Sequence, residues 1–302
     1  MVVAIWSGFI LVSRIGGASA MTAWDLFAIR YVTAAAILIP VWRYRRRPAL
    51  LDGRMLALTA IGGLAYGLLA FSGFKRSPAT HAAILLPGLL PFAIAIAARV
   101  LLGERLGAGR WAGLGLIGAG VASLAGEVFS GNAASLSGDL LLVAASACWA
   151  VYTVLLRRWA VAPLDATVAV TLQTALLYLP VYALALPRNL ASVPWAEILL
   201  QAFYQGVLAS IVQMLLYVRV ISLLGPTRLG ALMALVPAVT GLLALPLLGE
   251  SLTAQILAGL VLVSAGAWQA NRTFPSSERS QHCPTSTSGS REMAPRLHRK
   301  RS

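Results

Sequence analysis

The sequence predicts an all-α integral membrane protein with ten transmembrane helices, arranged as two inverted five-helix repeats. Three observations predict it. Of 302 residues, 59% are hydrophobic and only 11% charged, where an ordinary soluble domain carries roughly 25% charge. Long intervals without Asp, Glu, Lys or Arg recur at the length of a bilayer-spanning helix. The second half of the chain repeats the first. The composition excludes a soluble enzyme, a secreted disulfide scaffold and a disordered protein. At about 20–24 residues per span, ten spans with short loops nearly exhaust the chain and leave no room for a folded extramembrane domain.

The helices are expected at about 1–16, 25–42, 54–74, 78–101, 108–126, 137–156, 164–186, 197–221, 226–248 and 252–271. Residues 55–74, 77–98, 166–187, 198–218, 229–249 and 251–271 are free of charge and long enough to cross a core of about 30 Å. Residues 111–126 and 140–156 are shorter but strongly apolar, and 26–42 is interrupted only by Arg30. The first stretch, Met1 to Ser13, is short. It lacks a basic n-region and an A-x-A site before a soluble domain, so it reads as a span rather than a cleaved signal peptide; a start codon upstream of Met1 would account for its length. Alternating polarity of the kind that builds a β-barrel is absent. Residues 272–302, rich in Ser, Thr, Pro and Arg, read as a disordered basic tail, either a solvated topology anchor or a contact for anionic lipid.

The net charge is +14. In a soluble protein this would raise nucleic-acid binding; here basic loops that orient the chain explain it better, so lipid bilayer and a small-molecule substrate are the expected partners and nucleic acid is not. Twelve Lys and Arg residues, among them Arg43, Arg54, Arg99, Arg157, Arg219 and Arg228, fall on one side before the tail, and only Arg14, Lys75, Arg76 and Arg188 on the other. The first side is expected to be cytoplasmic, with both termini inside. Cys148 and Cys283 imply no disulfide framework.

Residues 87–120 and 233–266 align at an offset of 146: Pro91 with Pro237, Gly103-Glu104 with Gly249-Glu250, Gly113 with Gly259 and Gly120 with Gly266. Nearer the start of each half the offset is 143, which pairs Trp6 with Trp149 and Arg30 with Gln173. The repeats are 1–126 and 127–271. Five helices per half is an odd number, so the halves insert in opposite orientations, the arrangement many secondary transporters use for alternating access.

Three blocks carry a family resemblance: Ala4-Ile5-Trp6-Ser7-Gly8-Phe9, Phe27-Ala28-Ile29-Arg30-Tyr31, and the twice-occurring proline-then-Gly-Glu block followed by a Gly-rich helix. On these the chain resembles the EamA-type family of the drug/metabolite transporter superfamily over residues 1 to about 271. The resemblance implies a ten-helix bundle in the bacterial inner membrane, with a central cavity between the halves. It also implies transport of amino acids, nucleosides, sugars or other small metabolites, commonly outward.

Gly103-Glu104 and Gly249-Glu250 sit where one helix ends and the next begins. A carboxylate there can accept orphan backbone N–H groups and meet the helix dipole, with Arg105 and Arg110 within reach of Glu104; the twofold occurrence fits a structural hinge better than a substrate site. Pro91 and Pro237, with Pro87 and Pro246, interrupt their helices and serve either as gates or as plain kinks. The series Gly109, Gly113, Gly115, Gly118 and Gly120 permits close helix packing within the chain or at a dimer face, so monomer and homodimer both stay open. Arg30, about five residues into its helix, must face protein or water, as a structural anchor or as a contact for an anionic group. Trp6, Ser7, Tyr66, His81, Trp149, Tyr152, Gln173, Gln213 and Tyr217 are the other polar or aromatic residues within spans. As a set they suit a cavity for a neutral or zwitterionic, partly apolar solute.

The acids, from Asp25 and Asp52 to Glu250, lie near expected helix ends. The small multidrug transporters resemble one half of this architecture and carry a glutamate in their first helix, where this chain has Trp6 and Ser7. Facilitated diffusion or exchange is therefore favoured over obligatory proton coupling. The sequence has no Walker P-loop, no H-E-x-x-H motif and no nucleophile elbow. Its three histidines, two of them in the tail, make no zinc site with the cysteines. Neither an enzyme nor a cofactor is expected. A non-transporting scaffold or sensor subunit is the alternative reading.

Overall fold

The structure, a computed structural model, describes residues 1–44, 52–77, 82, 84–125, 133–248 and 254–272. The helices are α1 (Val2–Ala18), α2 (Ala23–Tyr44), α3 (Gly53–Arg76), α4 (Leu90–Leu102), α5 (Ala108–Ala125), α6 (Ala133–Arg158), α7 (Pro163–Ala185), α8 (Trp195–Leu224), α9 (Pro226–Met233), α10 (Val236–Leu248) and α11 (Ala254–Arg272). No strand occurs among the described residues. By length and composition, seven described helical segments are able to cross a membrane: 23–44, 53–76, 85–102, 136–158, 163–185, 195–224 and 226–243. Val2–Ser13 and Leu257–Ala270 are apolar but shorter. The expected ten spans thus meet seven of full length. Helix α5 is outside that group, because its glycines and Arg110 dilute its apolar character.

Local chemistry sets the helix ends. Helix α2 opens with a reciprocal cap: Asp25 N–H donates to Thr22 Oγ1 (3.0 Å) and Thr22 N–H to Asp25 Oδ2 (2.8 Å). The Asp25 carboxylate is fully buried and also accepts from Tyr182 Oη (2.6 Å) and Asn189 N–H (3.1 Å), which ties the start of α2 to the end of α7 and the turn after it. Helix α3 is capped by Asp52, whose side chain accepts from Arg54 N–H (3.1 Å). Helix α4 stops at Gly103, in the left-handed conformation (φ 69°) that only glycine adopts cheaply. Glu104 does not cap α5, which starts four residues on. Its carboxylate accepts from Thr227 Oγ1 (2.7 Å) and so joins the end of α4 to the start of α9.

The fourth helix expected at 78–101 and the ninth expected at 226–248 are broken at matching positions. A π-helical turn, Ile84–Gly88, precedes α4, and α9 ends before α10 begins. Pro91 and Pro237 each stand at the second residue of the segment that restarts. They are therefore not mid-helix kinks: a proline in the first turn removes a donor that has no partner there. Helices from the other half of the chain reach both breaks. Ser146 Oγ on α6 donates to the Leu86 carbonyl (2.9 Å), and Ser7 Oγ on α1 to those of Val3 (2.9 Å) and Val236 (3.4 Å).

A large apolar core joins α1, α2, α3, α6, α7 and α8, and a smaller one lies between α4, α5 and α11. The second depends on glycine. A methyl group on Gly120 would stand 2.8 Å from the Gly259 carbonyl oxygen, and one on Gly266 would stand 2.7 Å from that of Gly113. These two contacts exchange under the offset of 146. Because Gly113 faces Gly266 and Ala270 while Gly120 faces Gly259 and Val263, α5 and α11 run antiparallel. The small-residue face of α5 is thus occupied from within the chain. Gly115, by contrast, has open space where a side chain would go.

Candidate functional site

Five helices converge on one buried cavity. Helix α1 contributes Trp6 and Phe9, three residues apart and hence on one face. Arg30 comes from α2, Tyr66 from α3, Trp149 from α6, and Ala209 with Gln213 from α8. The space between these residues is about 260 Å³, mouth included. A second space of about 290 Å³ shares Arg30 and Trp149 and is walled further by Tyr31, Thr171, Ser210 and Met214.

The shapes of α3 and α8 aim two of these residues. Both helices unwind into π-helix, at Thr59–Ala65 and Ala202–Val212, and return to α-helix at Tyr66 and at Gln213. Looser winding of this kind rotates the following residues relative to the preceding ones and recurs at functional sites. Tyr66 and Gln213 therefore both stand where a π-helical stretch returns to α-helix, whereas Trp6 and Trp149 lie within unbroken α-helices.

Trp149 is the hub. Its ring centroid lies 5.3 Å from that of Trp6, 4.4 Å from Tyr66, 5.1 Å from Tyr152 and 5.4 Å from Tyr217. Its Nε1–H donates to Tyr217 Oη (2.9 Å). Thr153 directs its hydroxyl hydrogen at the Trp149 carbonyl (2.7 Å), so Tyr217 Oη donates to Thr153 Oγ1 across 2.8 Å. Every hydrogen of this chain has an acceptor, which fixes the indole plane. Trp6 Nε1–H, by contrast, is buried with no hydrogen-bond partner, and so are both the oxygen and the nitrogen of the Gln213 side-chain amide.

Arg30 is 8% exposed. Its guanidinium carbon sits 5.5 Å from the Phe9 ring centroid and 5.9 Å from that of Tyr31. Asp and Glu line neither cavity. The buried carboxylates among the described residues, Asp25 and Asp139, are engaged elsewhere, Asp139 accepting from Ser77 Oγ at 2.7 Å.

Trp6, Arg30, Tyr66, Trp149 and Gln213 thus come together at the cavity, and Tyr152 and Tyr217 pack behind Trp149. Ser7 and Gln173 do not join the cavity. Ser7 serves the backbone break at Val236, and Gln173 accepts from Thr59 Oγ1 between α7 and α3. His81, Gly249 and Glu250 lie outside the described residues, as does the chain beyond Arg272. Reading the sequence missed Phe9, Thr171 and Ser210 and gave Tyr31 no site role. Two signals were available. Thr167, Thr171 and Thr174 mark one face of the apolar α7 at four- and three-residue spacing, and Ser210 precedes Gln213 by three.

The EamA-like transporter family matches the chain twice, over residues 1–126 and 136–272. The uncharacterized transporter YyaM of Bacillus subtilis (strain 168) is 28% identical over 226 residues, covering 72% of this chain and 72% of that protein. A solved crystal structure shares the fold at TM-score 0.69 and 23% identity, covering 90% of this chain and 95% of the other. Apolar helices of spanning length, with two family matches that together cover nearly the whole chain, make this a multi-pass membrane protein that belongs to the EamA-like transporter family of the drug/metabolite transporter superfamily.

Proposed function

We propose that the protein is a secondary transporter that carries a small metabolite, an amino-acid-like, nucleoside-like or drug-like solute, out of the cytoplasm by alternating access. The observation that carries this reading is the buried cavity at Arg30 and Trp149. Trp6, Phe9, Arg30 and Tyr66 come from the first family match and Trp149 and Gln213 from the second, so any rocking of one half against the other opens or closes it. The reading includes ten spans in two inverted repeats, 1–126 and 127–271, in the cell inner membrane with both termini cytoplasmic. The antiparallel α5–α11 contact, the exchanged Gly120–Gly259 and Gly266–Gly113 approaches and the paired breaks before Pro91 and Pro237 support the inversion. The cavity has no carboxylate to carry a proton, which supports facilitated diffusion or exchange.

The test compares intracellular and extracellular metabolites with and without overexpression, and with Arg30→Ala. A few solutes depleted inside and enriched outside, with the effect lost in an Arg30→Ala protein of equal abundance, is the expected result. Purified protein that seals into liposomes yet changes no flux across a broad metabolite panel would overturn the proposal.

A further inference from the structure

We infer that the cavity selects its solute by charge: it takes a small carboxylate with a flat apolar body and discriminates against the matching amine and zwitterion. The inference rests on the transporter reading and narrows its solute to one charge class. It starts from Arg30. Arg30 is buried as a residue, and its charge has lost much of its water. A hydrogen bond to the Tyr31 side chain and the rings of Phe9 and Tyr31 at 5.5 and 5.9 Å return part of that loss, but none of them brings a compensating negative charge. With Asp and Glu absent from both cavities, the anion that completes the site has to arrive with the guest.

Two unpartnered side chains on the same cavity agree. Trp6 Nε1–H is a donor only, and the Gln213 amide offers two N–H donors beside one acceptor. Their three N–H donors outnumber the one acceptor oxygen, and an acceptor-rich carboxylate suits that imbalance. Arg30 and carboxylate pair through two parallel N–H···O bonds, which also fixes orientation. The walls provide the rest: Trp6, Tyr66, Trp149 and Phe9 present ring surface to a planar body. An ammonium group on the same guest would meet Arg30 as a like charge, with no carboxylate in either cavity to hold it. The polar and aromatic residues within spans, read as a set, pointed to a neutral or zwitterionic solute; the charge balance of the assembled cavity points to an anion.

Four compounds with one body and different charge test this on the purified full chain in detergent, read as tryptophan fluorescence quenching and as shift in unfolding temperature. They are phenylacetate, phenylacetamide, phenethylamine and phenylalanine. Phenylacetate is expected to bind about tenfold or more tighter than phenylacetamide, and more tightly than either amine-bearing compound. Arg30→Met should bring the acid-to-amide ratio to about one, and Arg30→Lys should restore part of the preference. Equal binding of acid and amide, preference for phenylalanine or phenethylamine, or binding of none of the four overturns the inference. These outcomes need no flux, so they separate from the transport reading. Acid preference without flux in liposomes would sink transport and keep the charge assignment. Flux of a solute without acid preference would do the reverse.

Discussion

Trp149 concentrates the residue-scale physics of this protein. It is nearly fully buried, touches four aromatic rings and places its only polar hydrogen on Tyr217. Tyr217→Phe leaves that N–H buried and unpaired, at a cost of about 1–3 kcal/mol. A lower unfolding temperature in detergent is expected. In a Trp149→Phe background the same change should cost much less, because no indole N–H remains to be stranded; simple addition of the two losses would count against the pairing. Asp25 makes a similar case at the opening of α2. Its carboxylate has three donors, two of them backbone N–H groups. Asp25→Ala should cost about 1.5–3 kcal/mol and Tyr182→Phe about 1 kcal/mol, both read as unfolding temperature. Legibility at this scale was uneven. Trp6, Arg30, Tyr66, Trp149 and Gln213 are polar or aromatic residues inside apolar runs and stand out in a string of letters. Phe9 does not stand out, because a phenylalanine that faces a cavity and one that faces lipid look the same in sequence.

Helix ends and helix faces form the next scale. Gly103 reads as a helix stop and acts as one, by the left-handed backbone at its position. The small-residue face of α5 carries the sharper prediction. Gly120→Val places a branched side chain where a single methyl already meets the α11 backbone, whereas Gly115→Ala points into open space. The first should cost about 1–3 kcal/mol or more by overpacking and lower the yield of folded protein from detergent; the second should change neither. Ser146→Ala should cost about 1 kcal/mol, since the Leu86 carbonyl at the break before α4 loses its donor. The π-helical stretches in α3 and α8 had no warning in the sequence. Local composition there is ordinary apolar helix, and the looser winding is accepted because packing against neighbouring helices outweighs the poorer backbone geometry.

At the scale of the whole molecule, two family matches, matching breaks and an antiparallel α5–α11 contact support the proposal of one unit used twice. The inverted-repeat proposal makes a topological prediction. With Cys148 and Cys283 replaced by serine, single cysteines at Lys75 and Arg188 should react with an impermeant maleimide on intact cells. Those at Arg54 and Arg219 should react only after permeabilisation, as the distribution of Lys and Arg requires. Labelling of all four from outside, or reversed labelling, would break the proposed orientation.

By itself the sequence determined the class of molecule, the limits of most helices, the repeat and the family, because each follows from local quantities: apolar run length, helix-stopping residues and the order of short blocks. Only the tertiary structure decided which residues share a cavity. Arg30 and Gln213 are 183 positions apart, and their meeting depends on how five helices rotate and cross. It also decided that Ser7 and Gln173 hydrogen-bond to neighbouring helices and that Pro91 and Pro237 restart helices rather than bend them. Run length and composition record that a polar group must be satisfied; the folded chain alone determines which neighbour satisfies it, since in hydrocarbon every such partner has to come from the protein.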